Sequence, residues 1–184
     1  MVEGAVRLLA QKGLQATSFA EVLDLTGAPR GSVYHHFPQG KDQMVAEAVA
    51  LAGDRALAYL ETKAGAGAVE ITEYFLFLWR EVLSRSGFRA GCAVLAVTVA
   101  TDSPDLLART SEVFRAWRKR LAELFSAGGL DTASADRFAA TLIAASEGAV
   151  VLSRAEQSLE PFNLVADQLV AQVKMMVGAR PSSE

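Results

Sequence analysis

Residues 28–37, APRGSVYHHF, put one Arg, one Ser, one Tyr and two His on a single short segment. Arg30 and Ser32 carry hydrogen-bonding side chains of the kind that reach base edges in the major groove. Tyr34 and His35, one turn further on, can donate to phosphate oxygens, and Lys41 can bring a positive charge to the same backbone. Gly31 carries no side chain and leaves room for close backbone approach. The pair His35-His36 does not suggest a metal site: neighbours on a helix diverge by about 100°, and no ligand-type residue stands four positions away.

The surrounding elements must present these groups. Ser18-Phe19-Ala20-Glu21 is a capping-box pattern, so a helix starts at Phe19, buries Val22 and Leu25, and stops at Gly27. Pro29 suits the first turn of another helix, where its missing N–H costs nothing, and Pro38-Gln39-Gly40 breaks that helix after about His36. Val33 and Phe37, four apart, form its core face, and His36 is read as packing or capping. Helix, tight turn with a Gly, and helix is the helix-turn-helix arrangement, whose second helix lies in the major groove. Arg30 and Ser32 then sit near an N-terminus, where free N–H groups and the helix dipole also face phosphate. A first helix is expected over Val2–Lys12, with Val6, Leu9 and Ala10 as its apolar stripe and Gly13 as a left-handed cap.

Downstream, Pro is scarce and apolar residues recur at three and four, which predicts an all-α chain of about nine helices with short joints. A long amphipathic helix over residues 41–62, about 33 Å in length, leads into the flexible joint at 63–68. The domain boundary is placed inside it, giving a helix-turn-helix domain at 1–45 and a helical bundle at 46–178. The next helix, 69–84, contains ITEYFLFLW and is apolar almost all round, as a central buried element would be. CAVLAVTVAT, 92–101, favours a strand by composition but has no second strand to pair with, so it is read as a short helix. Ser103-Pro104 opens a helix to about Ser126 with Leu107, Phe114, Trp117, Leu121 and Leu124 inward and Arg115, Arg118, Lys119 and Arg120 mostly solvated. Two more helices cover 133–154 and 161–177, the second closed by Gly178, and RPSSE is a frayed tail.

Composition narrows the function. Although 51% of the 184 residues are apolar, no uncharged apolar run approaches the roughly 20 residues of a membrane span, and no signal-peptide pattern opens the chain. A cytoplasmic protein with no membrane partner is expected. The single Cys92 rules out an internal disulfide or a multi-cysteine metal site and reads as a small buried hydrophobe. Net charge is −3, well below the basic balance that often marks nucleic-acid binders. Through Val45, the basic residues Arg7, Lys12, Arg30 and Lys41 equal in number the acidic Glu3, Glu21, Asp24 and Asp42. DNA affinity must therefore come from placement. No GxSxG, P-loop or HExxH is present, and Gly65-Ala66-Gly67 lacks the third Gly and the preceding strand of a dinucleotide fingerprint, so no enzyme and no cofactor is expected.

The run GLQATSFAEVLDLTGAPRGSVYHHFPQGKDQM strongly resembles the DNA-binding domain of TetR-family transcriptional regulators. By that resemblance Ser18, Arg30, Ser32, Tyr34, His35 and Lys41 fall on positions used for DNA contact, with Thr17 beside them at the start of the second helix. FPQGK, GFRAGCAV and SEGAVVLSRA look like the LmrA/YxaF-like branch, whose C-terminal domains are divergent ligand-binding and dimerising bundles. The chain departs from the family where Pro29 replaces a frequent Ser. The basic arm and first turn that usually precede the first helix are also missing, so either the chain is shortened or it holds DNA less tightly.

For the bundle, Phe75, Trp79, Phe88, Phe114 and Trp117 are candidates to line an apolar effector cavity, with Glu147 a polar group in an apolar run that needs a partner. A filled aromatic core is the alternative. Ala140, Ile143, Ala144 and Val150 on one helix, and Leu164, Val165, Leu169 and Val173 on the next, give two apolar faces each, one for the domain and one for a twin pair. Two-fold symmetry would set two recognition helices about 34 Å apart on a palindromic operator. The expected function is a dimeric repressor released by a small apolar or aromatic effector. The alternatives are an activator or ligand-independent DNA-binding protein, or a helical enzyme using the C-terminal cavity.

Overall fold

The computed structural model describes residues 1–178. Among them are nine helices and no strand: α1 (Val2–Lys12), α2 (Phe19–Thr26), α3 (Ser32–His36), α4 (Lys41–Glu61), α5 (Ala68–Ser86), α6 (Ala93–Thr98), α7 (Pro104–Ala127), α8 (Thr132–Glu156) and α9 (Glu160–Gly178). Packing groups them into two compact units, Met1–Ala56 with Ala90–Arg115, and Leu57–Arg89 with Ala116–Gly178. Both α4 and α7 run through both units without interruption. The expected tail RPSSE lies outside the described residues.

In the first unit, α1 buries Gly4, Ala5, Leu8 and Leu9, a face rotated from the expected stripe, and leaves Val6 and Ala10 half-buried. The close crossing with α2 explains the shift: a Cβ at Gly4 would come within 2.5 Å of Thr26 Cγ2, so α2 lies along the small Gly4-Ala5 edge. Gly13 has φ 80 with an extended ψ of −180, so it turns the chain without forming the left-handed cap expected. The second helix follows its local signals closely. Ser18 Oγ accepts from the Glu21 N–H at 3.2 Å, and Gly27 ends the helix at φ 67, ψ 14, although Leu25 is 39% exposed rather than buried. The Val- and Thr-rich segment forms α6, with Cys92 Sγ accepting from the Leu95 N–H at 3.4 Å. The Gly91 N–H donates to the Ala10 carbonyl at 2.9 Å and fixes the start of α6 against α1.

In the second unit, α8 and α9 cover α5 along one side. Ile71, Leu76 and Leu83 are buried, but Phe77 is 47% exposed and Val82 is also at the surface, so ITEYFLFLW is not buried all round. Leu107, expected inward on α7, is exposed, whereas Trp117, Leu121, Leu124 and Phe125 are buried. Phe125 meets Phe138 edge to face at 5.1 Å. Asp131 caps α8 by accepting from the Ser134 N–H at 3.0 Å, and its hydrogen bonds with Ser134 hold the carboxyl below its ordinary range. Ser153 Oγ accepts from the Phe162 N–H at 3.0 Å and ties α8 to α9. Arg120 on α7 grips both carboxylate oxygens of Glu61, at 2.6 and 2.7 Å, and the hydrogen bonding lowers the Glu61 pKa. By length and composition α8 could cross a membrane, but half of its apolar window is buried within the protein, as in a core helix.

The end of α7 touches the start of α5 backbone to backbone. The Ala68 N–H donates to the Gly128 carbonyl at 3.0 Å, and a Cβ at Gly128 would lie 2.7 Å from that nitrogen. Gly128→Ala must open this contact, and it is expected to lower the unfolding free energy by about 1–3 kcal/mol in a denaturant titration. Unchanged stability would show that the approach is not tight.

Candidate functional site

The polar segment is shorter as a helix than its sequence suggested. Pro29 to Ser32 form a tight turn, with the Ser32 N–H donating to the Pro29 carbonyl at 3.0 Å and the Val33 N–H to the Arg30 carbonyl at 3.4 Å. Only Ser32–His36 is α-helical, so Arg30 stands in the turn ahead of α3, not in its first turn. A helix of five residues also contributes little macrodipole, which shifts the weight from dipole to side chains.

Two anchors set its orientation. Val33 and Phe37 are buried, and Phe37 stacks on Phe19 of α2 with centroids 6.0 Å apart and planes at 23°. Arg30, Tyr34 and His35 are consequently exposed, Tyr34 at 82%. His36, expected to pack or cap, is exposed as well. Its ring meets that of His35 edge-on at 5.5 Å, while its carbonyl accepts from Gln43 Nε2 at 3.3 Å. Gln43 also accepts from the Gln39 N–H at 3.0 Å through Oε1, locking the α3–α4 turn. The sequence reading missed Gln43, because a Gln in the first turn of a helix has no distinctive local signature.

The other expected DNA contacts divide between surface and interior. Lys41 is half-buried and donates from Nζ to the Leu14 carbonyl at 3.0 Å, so it anchors α4 as well as carrying charge. Ser18 Oγ caps α2, and Ser32 Oγ donates to the Pro29 carbonyl at 2.6 Å; both residues are half-buried. Thr17 is a correction: it is 0% exposed and its hydroxyl donates to the Gly13 carbonyl at 2.8 Å, so its side chain closes the α1–α2 loop and cannot reach a ligand outside. Gly31 has φ −64, and a Cβ there would meet nothing within 4 Å, so the chain's own geometry does not demand a glycine.

Of the expected effector residues, Trp117 and Glu147 are buried and Phe75, Trp79 and Phe88 half-buried, all in the second unit. Phe114, half-buried, belongs to the first. A groove of about 380 Å³ between α5 and α9 has a different lining, with Arg80, Asp167 and Lys174 among its polar groups.

The expected dimer set also divides. Ile143, Val150, Leu169 and Val173 belong to this chain's own core, Ala140 and Val165 are half-buried, and Ala144 and Leu164 are exposed. The outward apolar face includes residues the sequence reading passed over: Gly148, Val151 (53%) and Leu152 (50%) on α8, and Met175 on α9. On helices apolar on two faces, hydrophobicity alone does not separate core from surface. The i, i+4 pairs Ala144/Gly148 and Gly148/Leu152 carry the outer-face signal.

The family model of the TetR family of bacterial regulatory proteins matches residues 1–48, and that of the LmrA/YxaF-like transcriptional regulator C-terminal domain matches 68–168. The HTH-type transcriptional regulator Rv0196 of Mycobacterium tuberculosis is 36% identical over 176 residues, which cover 92% of this chain and 90% of the relative. YxaF, an HTH-type transcriptional regulator of Bacillus subtilis, is 27% identical over 174 residues, covering 92% of this chain and 91% of YxaF. Among solved structures, a TetR regulatory protein from Rhodobacter sphaeroides has the same fold, with a TM-score of 0.82 over 92% of this chain and 95% of that one at 22% identity. Such proteins are regulators and generally not enzymes. With both domain models matched in order and a relative similar over nearly its whole length, the chain belongs to the TetR family and is a DNA-binding transcriptional regulator.

Proposed function

We propose that the chain is a cytoplasmic, dimeric repressor that reads a palindromic operator and is released by a small effector. In this reading residues 1–45 bind DNA, and residues 46–178 bind the effector and the second copy. The carrying observation is the outward set Arg30, Tyr34 and His35 on a segment that Val33 and Phe37 hold by its other face. Arg30 reads a base edge, Tyr34 and His35 hold phosphate, and Gly31 admits the DNA backbone closely. Ser18 and Ser32 contribute their remaining hydrogen-bonding capacity, and Lys41 its charge. Thr17 leaves the proposed set because it is buried.

One short segment reads only a half-site, so a second copy is needed, and the exposed apolar face of α8 and α9 supports a symmetric pairing. The aromatic residues Phe75, Trp79, Phe88 and Trp117, with Glu147, remain the candidates for effector contact, and Phe114 is set apart because it belongs to the other unit.

A mobility shift on the DNA flanking the protein's own coding region, with and without planar aromatic compounds, tests this function directly. Retention of the fragment, relieved by one of the compounds, is expected; no retention at low salt overturns the reading. Within that assay Arg30→Ala is expected to cost roughly 1–3 kcal/mol on the specific fragment and far less on unrelated DNA. Lys41→Ala is expected to weaken both and to reduce the salt slope by about 1. An equal loss on both fragments would remove Arg30 from base readout.

Sedimentation of the purified protein at micromolar concentration tests the pairing. A dimer is expected, and Val151→Glu with Leu152→Glu should convert it to a helical monomer. A monomeric wild type overturns the proposed pairing.

A further inference from the structure

We infer that the groove between α5 and α9 binds a small zwitterion, an α-amino acid with an apolar side chain, through Arg80 for the carboxylate and Asp167 for the ammonium. This goes beyond the operator reading and does not depend on it.

Arg80 is held ready on the α5 wall. Its Nε donates to Asn163 Oδ1 at 3.1 Å, and its guanidinium carbon lies 6.0 Å from the centroid of the fully buried Phe162 ring. Among the described residues neither terminal nitrogen of this guanidinium has an acceptor. A half-buried Arg fixed through Nε and packed on an aromatic face, with its terminal N–H groups unused, is a preorganised fork for a carboxylate.

The α9 wall supplies the opposite charge. Asp167 lies one turn after Asn163, lines the same groove and has no hydrogen-bond or ion-pair partner among the described residues. The two charges share the groove without closing on each other. At its other end Lys174 and Glu73 stand 3.7 Å apart and offset one another. One positive and one negative group are left over. A simple anion would meet Asp167 and a simple cation would meet Arg80, whereas a zwitterion satisfies both.

The remaining surface is apolar: Leu76 and Ala166 are buried beneath the groove, and Val170 and Ala171 complete it. Its volume of about 380 Å³ lies within the range of about 300–1,000 Å³ common for small-ligand sites. At about 100° per residue, Val170 and Lys174 lie about a third of a turn around α9 from the exposed Leu164 and Met175, and Asp167 and Ala171 fall between. The groove therefore borders the face proposed for pairing rather than coinciding with it.

Calorimetric titration of the full chain with L-valine, L-leucine and L-phenylalanine tests the site, with L-leucinamide and 4-methylpentanoate as the analogues lacking the carboxylate and the ammonium. Saturable binding of at least one amino acid is expected, with Arg80→Met and Asp167→Asn each weakening it at least tenfold and both analogues at least tenfold weaker than leucine where leucine binds. No saturable binding of any of the three overturns the inference, as does undiminished affinity in both variants. Equal binding of 4-methylpentanoate, with affinity kept in Asp167→Asn, overturns it in favour of a plain carboxylate site. Asp167 is exposed and makes no internal bond, so its variant keeps the test decisive if Arg80→Met disturbs the Asn163 and Phe162 contacts. DNA retention by Asp167→Asn, measured alongside, separates failure of this site from failure of the operator reading.

Discussion

The burial of Val33 and Phe37 is the constraint on which the proposed DNA-binding surface depends. A helix of five residues has no stability of its own, because nucleation costs more than one or two hydrogen bonds return. It exists because two apolar side chains, four apart and on one face, sink into the core that Leu9, Val22 and Met44 help to build. Each such side chain contributes about 1.5–3 kcal/mol when fully buried. The same geometry forces Tyr34 and His35 to the other side. The backbone that carries them is fixed in this way, with Gln43 bracing the following turn.

Charge works by subtraction here. The N-terminal segment is neutral, and several of its charges are already engaged: Lys12 with Glu21 at 2.7 Å, Glu3 with Arg55, and Lys41 with the Leu14 carbonyl. Arg30 has no partner among the described residues and stands exposed beside a glycine that the chain's own geometry does not require. A segment with no net charge can thus hold an unspent cation at the point proposed to read a base edge. Exposed ion pairs contribute little to stability, so the arrangement costs the fold little.

Local chemistry was legible in the sequence except at Gly13, and packing only in part, as at Val33 and Phe37. The Ser18 cap, the Gly27 stop and the Pro104 start act within one turn, so their residue types announce them. The helical α6 could be read because a strand without a partner has nowhere to place its hydrogen bonds. Thr17 could not be placed, since a threonine beside a helix start looks the same whether its hydroxyl faces solvent or donates inward to Gly13. The faces of α8 and α9 failed for a related reason. Val150 and Val151 are the same residue type, one buried and one exposed, and only the neighbouring helices decide which. Arg30 was placed one turn too deep because Pro29 at a helix start and Pro29 in a tight turn share the same φ.

The proposed release by an effector places a demand on the fold beyond having a cavity. A ligand shifts an equilibrium only by its differential affinity for the two states, so one that fits both equally releases nothing. The effector must therefore touch something whose position matters to α3. Both α4 and α7 run uninterrupted through the two packing units, so neither interposes a flexible linker. Near its far end α4 is gripped by Arg120 through Glu61, and near its start Met44 and Val45 are wholly buried. Contacts made along α4 beyond Ala56, or on α7 around Trp117 and Leu121, are thus the ones able to turn effector binding into a change at the recognition segment.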